Sequence, residues 1–116
     1  MSYSQGDVVL VPFPFTNLTV TKTRPAIIVS NKIVNNTYDV ILAQITTQPV
    51  KSPWGLTISN SDVTVPFRPP YTSMNVHYRK IAVIEKSLIR TKITKLSNEK
   101  LEELLNLISS MFKLDK

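Results

Sequence analysis

One arginine in this chain is well placed for chemistry on a phosphate. Arg24 precedes Pro25 in TKTRPAIIVS (21–30), and a residue before proline is pushed towards extended geometry. The sequence therefore predicts that its guanidinium is held at the start of an apolar strand. A planar guanidinium donates hydrogen bonds to two phosphate oxygens at once. The structural alternative is an arginine at a strand edge in a surface ion pair.

A second candidate for phosphate chemistry is the pair of threonines in AQITTQ (43–48), at the end of another apolar segment. Neighbouring side chains on a strand face opposite ways, so only one of Thr46 and Thr47 can face a given cleft. A hydroxyl in that position could donate a hydrogen bond to a phosphate oxygen. The alternative is that threonine, being β-branched, simply favours strands.

Several other kinds of catalytic site are excluded by composition. The chain has two glycines, one histidine and no cysteine, so a Gly-rich phosphate loop and a His/Cys metal site are not expected. The few acidic residues of the body do not cluster as a two-metal nuclease requires. An enzyme here is predicted to need no metal or cofactor. His77 is a candidate general base because an unperturbed imidazole has a pKa near neutrality, and a structural role is its alternative.

Charge and composition bound the class of protein. The net charge of the 116 residues is +6, with seven basic and three acidic side chains in residues 1–84. A basic body attracts polyanions, nucleic acid first, although the charge could also serve solubility alone. The length predicts a single domain over residues 1–116. Neither a signal peptide nor a membrane-spanning run is recognisable, so we expect a cytoplasmic protein without membrane contact.

The elements that must position these residues are short strands and one helix. Strands are predicted at 7–13, 26–30, 38–46, 56–59, 63–67 and 75–84, from apolar, β-branched runs bounded by prolines and turns. The segment NSD (60–62) is predicted to join two of them as a hairpin, 14–23 to form a long loop and 31–37 a turn. Residues 97–112 predict an amphipathic helix capped by Ser97, packed on the sheet. Together they predict a mainly β (α+β) fold, a small barrel with a C-terminal helix.

Four segments of the chain together resemble the MazF/PemK-like toxins of type II toxin–antitoxin systems. They are GDVVLVPFPFT (6–16), RPAIIVS (24–30), DVILAQITTQ (39–48) and KIAVIEKSLIRTKITKLSNEKLEEL (80–104). The resemblance implies an SH3-like β-barrel with a C-terminal helix, shared with CcdB-type toxins, and a homodimer. It further implies a metal-independent, sequence-specific endoribonuclease that cleaves single-stranded RNA through its own 2′-OH, leaving a 2′,3′-cyclic phosphate. A cognate antitoxin is the implied protein partner.

The resemblance also implies roles for individual residues. The family's paired arginine and threonine correspond to Arg24 and Thr46, which would stabilise the charge on the phosphate. The loop 14–23 would be a flap over the RNA, with a hydroxyl from one of its threonines, Thr19, Thr21 or Thr23. The remaining residues expected at the RNA are Lys22, Thr47, Arg68, His77 and Arg79. Relatives often carry an acid at the position of Arg79 and an arginine near His77, so this chain departs from the family pattern there.

Aromatic residues in the proline-rich loops offer a further means of binding RNA. Trp54, Phe67 and Tyr71 lie in proline-rich loops with Arg68 nearby, and aromatic rings with basic neighbours can stack single-stranded bases. Core packing or a dimer contact is the competing interpretation.

The alternative functions on the same fold are non-catalytic. One is a CcdB-like toxin that binds gyrase through the region of its C-terminal helix, for which the run RTKITK and that helix would matter more than Arg24. The other is a degenerate member that only binds RNA or an antitoxin.

Overall fold

The computed structural model describes residues 2–13, 22–48, 50 and 54–116, with Phe13 and Lys22 described in their backbone only. The strands are β1 (Asp7–Phe13), β2 (Lys22–Ile28), β3 (Asp39–Thr46), β4 (Gly55–Ser59), β5 (Ser73–Glu85) and β6 (Thr91–Lys95). The helices are α1 (Lys32–Asn35) and α2 (Asn98–Ser110), with 3-10 turns at Asn60–Asp62 and Lys86–Leu88. The predicted mainly β fold with a C-terminal helix is confirmed.

The six strands form one antiparallel sheet in the order β4-β5-β3-β2-β1-β6. Its two edges approach each other, because the segment that leaves β4 runs beside β6. Val63 bridges Leu96, and the Thr64 N–H donates to the Lys95 carbonyl at 2.9 Å. The sheet is therefore curled into a half-barrel, which covers part of an edge that would otherwise expose unpaired backbone groups.

Each face of the sheet carries its own hydrophobic layer. One layer contains Ile27, Ile45 and Val76 and packs under α2 through Leu101 and Leu104; we call this side the helix face. The other layer contains Val9, Ala26, Ile28, Leu42 and Ile84 and lies on the opposite side. Because side chains alternate between the two faces along a strand, the registers of the ladders show which of these two sides each strand residue faces.

A bulge in β5 inverts this alternation. Ala43 pairs with Ile81 but its neighbour Gln44 pairs with His77, so Tyr78, Arg79 and Lys80 have no partner on β3. His77 and Ile81 are four residues apart and would share a face in an uninterrupted strand. Across the bulge they face opposite sides. Such insertions bend a strand and redirect its side chains.

The helix α2 forms much as its pattern predicts. The Ser97 hydroxyl accepts from the Lys100 N–H at 3.3 Å, which satisfies one of the otherwise unpaired amides of the first turn. Leu101 and Leu104 are buried, and the next apolar residues of the stripe pack against the same layer. The predicted packing of this helix on the sheet is confirmed.

The predicted hairpin between 56–59 and 63–67 is wrong. Residues 60–62 form a 3-10 turn, in which the Asp62 carboxylate accepts from the backbone N–H and the hydroxyl of Ser59 at 2.8 and 3.1 Å. The Asn60 side chain accepts from the Phe67 N–H at 2.7 Å. These side chains close the segment locally and send the chain towards β6 instead of back along β4.

Two further boundaries differ from the predictions. The strand predicted at 26–30 spans Lys22–Ile28, because β1 pairs with it as far as Lys22. Pro25 is tolerated inside β2 because the ladder with β3 begins only at Ala26, so its missing N–H breaks no bond to β3. The turn predicted at 31–37 contains α1, whose N-cap Asn31 accepts from the Ile33 N–H at 3.0 Å.

A left-handed glycine and a buried carboxylate anchor the start of β1. Gly6 has φ of +93°, a conformation that glycine adopts without steric cost. Asp7 is 1% exposed and accepts from the Ser4 N–H at 2.9 Å. Its other oxygen lies 3.2 Å from the Lys92 ammonium and 3.5 Å from that of Lys95, so the carboxylate ties β1 to β6. The Gly-Asp pair is thus structural.

Within the described residues, no helix is both long and apolar enough to cross a membrane.

Candidate active site

The sheet brings Arg24 and Thr46 to one face. Ala26 pairs with Gln44 in the last rung of the ladder between β2 and β3. Residues two apart on a strand share a face, so Arg24 and Thr46 lie on the side of the sheet that Ala26 and Gln44 share. This is the side opposite α2, because Ala26 belongs to the layer away from the helix. We call it the groove face. Arg24 is half-buried there, with its Nε atom enclosed.

The hydroxyl of Thr46 is oriented by its own chain. Its oxygen accepts a hydrogen bond from the Gln48 N–H at 3.1 Å. A hydroxyl has one proton to donate in addition to its acceptor lone pairs, so this bond leaves the proton for another acceptor. Thr46 is half-buried, at the end of β3. The arrangement suits a donor to an anionic oxygen.

Beside Thr46 lies an open groove of about 410 Å³, lined by Gln44, Thr46, Gln48, Val50, Trp54, His77 and Lys80. The wall formed by Val50 depends on Gly55: a Cβ added to that glycine would lie 2.7 Å from the Val50 Cβ. Asn75 holds the segment from Thr46 to Gln48 in place. It pairs with Thr46, its side chain donates to the Gln48 carbonyl at 3.1 Å, and it accepts from the Thr57 hydroxyl at 2.8 Å.

His77 and Lys80 reach the groove through the bulge of β5. Gln44 pairs with His77, so the imidazole shares the groove face with Gln44 and Thr46. Burial lowers the pKa of His77, and the positive charges of Lys80 and Arg79 lower it further. The imidazole is therefore neutral at pH 7 and able to accept a proton.

Trp54 and Arg79 form a second cluster at the same groove. The Arg79 guanidinium carbon lies 5.1 Å from the centroid of the Trp54 ring, within the range of a cation–π contact. The Tyr78 ring packs against Trp54 at a centroid distance of 6.2 Å, with the planes tilted by 60°. Tyr78 is buried, whereas Arg79 is exposed.

Other predicted RNA-binding residues lie on the helix face. Thr47 and Arg68 line a separate, mostly apolar depression of about 850 Å³, together with Phe67 and Tyr71. Phe67 is 4% exposed and belongs to the core, so the packing interpretation is confirmed for it. Tyr71 is 46% exposed. The structure thus separates Thr47 and Arg68 from the groove that contains Thr46 and His77.

The predicted flap cannot be placed. Thr19 and Thr21 lie outside the described residues, as does most of 14–23. The backbone of Lys22 pairs with Phe13 at the end of β1, and Thr23 is exposed next to it.

Sequence reasoning missed Gln44, Gln48, Asn75 and Lys80. Gln44 has a signal, since it lies two residues before Thr46 on the same strand and so shares its side, and Gln48 is brought to the groove by the bend that follows β3. Asn75 and Lys80 have none, because only the pairing of β5 and its bulge bring them to the site. Among the described residues, no group of three or more His, Cys, Asp or Glu side chains could hold a metal ion.

Comparison with solved structures places the fold in one class. The chain superposes with a TM-score of 0.74 on MazF from Deinococcus radiodurans, at 16% identity over 98% of this chain and 99% of that one. It superposes with a TM-score of 0.70 on an endoribonuclease in complex with its cognate antitoxin from a Mycobacterial species, at 20% identity over 97% and 100% of the two chains. The MazF–MazE complex of D. radiodurans gives 0.70 at 16% identity, over 99% of each chain. The half-barrel with a C-terminal helix is therefore a MazF-like fold.

The family follows from the sequence. Residues 4–112 match the model of the PemK-like, MazF-like toxins of type II toxin–antitoxin systems. The chain belongs to this family, as its four motif segments predict. A search of curated protein sequences gave no significant match.

Proposed function

We propose that this chain is the toxin of a type II toxin–antitoxin pair and a sequence-specific endoribonuclease that acts on single-stranded RNA. The observation that carries the proposal is that Arg24 and Thr46, on neighbouring strands, face the side of the sheet that holds the open groove, which Thr46 lines. The 2′-OH of the RNA attacks its own adjacent phosphate. The bond to the 5′-oxygen breaks, giving a 2′,3′-cyclic phosphate and a 5′-hydroxyl end.

Arg24 stabilises the charge that builds on the phosphate oxygens during this attack. It is held on a paired strand before a proline, so its fork meets the phosphate with little reorganisation. The same guanidinium is the candidate donor of the proton that the leaving 5′-oxygen needs. Thr46 adds a hydrogen bond from the hydroxyl proton that its contact with Gln48 leaves to donate.

His77 is the candidate for accepting the proton of the 2′-OH. It lies on the groove face opposite Gln44, two residues along β3 from Thr46, and its pKa is lowered by burial and by Lys80 and Arg79. A neutral imidazole at physiological pH is the form that a general base requires. The mechanism uses side chains alone and includes no metal or cofactor.

The partners proposed for the chain follow from its family. A cognate antitoxin would block the toxin, as the complexes of its structural relatives suggest. We propose a homodimer in the cytoplasm, where cellular RNA is the substrate. Thr47 and Arg68, on the helix face, are proposed as contacts to an RNA that extends past the groove.

The test is cleavage of a long single-stranded RNA in the presence of EDTA, with the ends of the products mapped. Wild type should cut at a short recurring sequence and leave cyclic phosphate ends. Arg24→Ala should cut the RNA about 100-fold or more slowly than wild type. Arg90→Ala removes an exposed arginine outside the groove and should cut at the wild-type rate. A single 2′-deoxy substitution at the cleaved linkage should block the reaction. Intact RNA at high enzyme concentration, or full activity of Arg24→Ala, would overturn the proposal.

The CcdB-like alternative would act through the region of the C-terminal helix. Leu101 and Leu104 of α2 are buried against the sheet, whereas Phe112 and Leu114 after the helix are exposed. A pull-down of gyrase unaffected by Arg24→Ala would support that alternative.

A further inference from the structure

We propose that the groove beside Thr46 is a nucleobase subsite, in which one base of the RNA packs against Trp54 while Lys80 contacts its phosphate. The inference deepens the proposed function, on which its RNA substrate rests. It assigns the recognition of a base to one aromatic side chain and the bulge that supports it.

The position of Trp54 carries the first step. Trp54 directly precedes Gly55, which pairs with His77, so the ring borders the row of residues that contains His77 and Gln44. It is partly buried against the helix-face layer, and it also lines the groove. A ring fixed on one side and open to a groove on the other is a platform on which a base can stack.

The bulge supplies the second step, since it fixes the ring from two directions. Tyr78 packs against Trp54 from the core, and its N–H donates to the Trp54 carbonyl at 3.2 Å. Arg79 lies over the ring from the solvent side, 5.1 Å from its centroid. A base that stacks on Trp54 therefore takes the place of Arg79, whose guanidinium plane can then stack on the outer face of the base.

Charge supplies the third step. Lys80 and Arg79 are exposed, and Lys80 lines the groove. Neither appears in an ion pair with a described acidic residue, so both charges are available to a polyanion. After burial, the positive charges of Lys80 and Arg79 are the next causes that lower the pKa of His77, as expected for cations close to the groove.

The remaining lining suits the edge of a base. Gln44 on β3 and Gln48 just after its end both line the groove beside Thr46, and an amide both donates and accepts hydrogen bonds. The volume of about 410 Å³ lies in the range of roughly 300–1,000 Å³ that is typical of small-ligand sites. A base between Trp54 and the glutamines would lie next to the phosphate that Arg24 and Thr46 engage.

The experiment uses two reporters that the chain carries only once, Trp54 and His77. The probes are a short 2′-O-methyl oligoribonucleotide of mixed sequence, which cannot be cleaved, and an abasic phosphate oligomer of equal length. The base-containing probe should quench the fluorescence of Trp54, and the abasic probe should not. Both probes should raise the pKa of His77, measured by NMR, because their phosphates offset Lys80.

Variants separate stacking from folding. Trp54→Leu should weaken binding of the base-containing probe by about tenfold or more, whereas Trp54→Phe should stay within about threefold, since it keeps an aromatic face. Lys80→Ala should weaken binding of both probes alike. Thermal melts establish that each variant is folded, and quenching of the wild type tests the platform even if Trp54→Leu unfolds.

Equal quenching by both probes, or unchanged affinity of a folded Trp54→Leu, would overturn the subsite. Neither the quenching experiment nor the affinity measurement requires RNA cleavage. Base-dependent quenching without any RNA cleavage would retain the subsite and reject the nuclease, and cleavage without base-dependent quenching would do the reverse.

Discussion

Replacing the hydroxyl of Thr46 with a methyl group tests the proposed catalytic geometry most directly. Thr46→Val keeps the shape and the β-branch of the side chain, so the end of β3 is preserved. It removes the proton donor directed at the phosphate and the acceptor used by the Gln48 N–H. Thr46→Ser restores both. Thr72→Val is the matched control, because that exposed threonine lines neither the groove nor the depression on the helix face.

The magnitudes separate a catalytic from a structural effect. Gln48 is exposed, so water can replace the lost hydrogen bond, and the free energy of unfolding should fall by no more than about 1 kcal/mol. A domain with a stability of about 5–15 kcal/mol remains folded after that loss. Loss of one donor to the charged phosphate should reduce the rate about 100- to 1,000-fold, equivalent to roughly 2.7–4 kcal/mol.

The assay is single-turnover cleavage of a defined RNA with enzyme in excess, which isolates the chemical step from product release. Thr46→Ser should stay within about tenfold of wild type, because one donor is present in both. A Thr46→Val enzyme as fast as wild type would refute the role of the hydroxyl. An equal loss in Thr72→Val would show that the effect is not specific to the groove face.

Three other outcomes are expected. Gly6→Ala should lower the free energy of unfolding by about 2–4 kcal/mol in chemical denaturation, because its φ is +93° and the new Cβ would lie 3.1 Å from Leu101; an unchanged midpoint would contradict the strain. Asp7→Asn should lower the free energy of unfolding by about 1–3 kcal/mol, because it removes the buried carboxylate that pairs with Lys92; an unaltered melting curve would contradict this. The NMR titration of His77 should have its midpoint below 6.5, and Lys80→Ala should move it upwards. Because the pKa of His77 is lower in the folded chain, the unfolded chain takes up this proton at a higher pH. The free energy of unfolding therefore falls as the pH drops below 6.5, and His77 has no such effect at higher pH.

The sequence predicts the elements whose signals are local. The amphipathic stripe and the Ser97 cap define α2, and β1 has the bounds predicted for it. Sequence-based prediction fails where a contact between residues distant in sequence determines the local structure. Thr91–Lys95 forms a strand only because β1 offers a partner, and 63–67 does not become one because Asn60 and Asp62 close the preceding turn.

The same limit applies to the candidate site. Arg24 and Thr46 can be chosen from residue type, local geometry and family resemblance, but their relative position depends on the register between β2 and β3. Residues 76, 78 and 84 read as one alternating buried face of a strand. The bulge instead places Val76 and Tyr78 in one layer and Ile84 in the other, which no period of two reveals.

The division of β5 between the two hydrophobic layers restricts how this chain can evolve. Residues of β5 pack in both layers. A substitution that shifts the backbone of β5 to widen the groove would therefore also weaken packing on the other side of the sheet. The bulge residues Arg79 and Lys80 lie outside the ladder with β3 and are exposed, so their side chains can be exchanged without disturbing either layer. For the proposed nuclease, new RNA preferences are therefore more accessible through these two positions than through the strands around them.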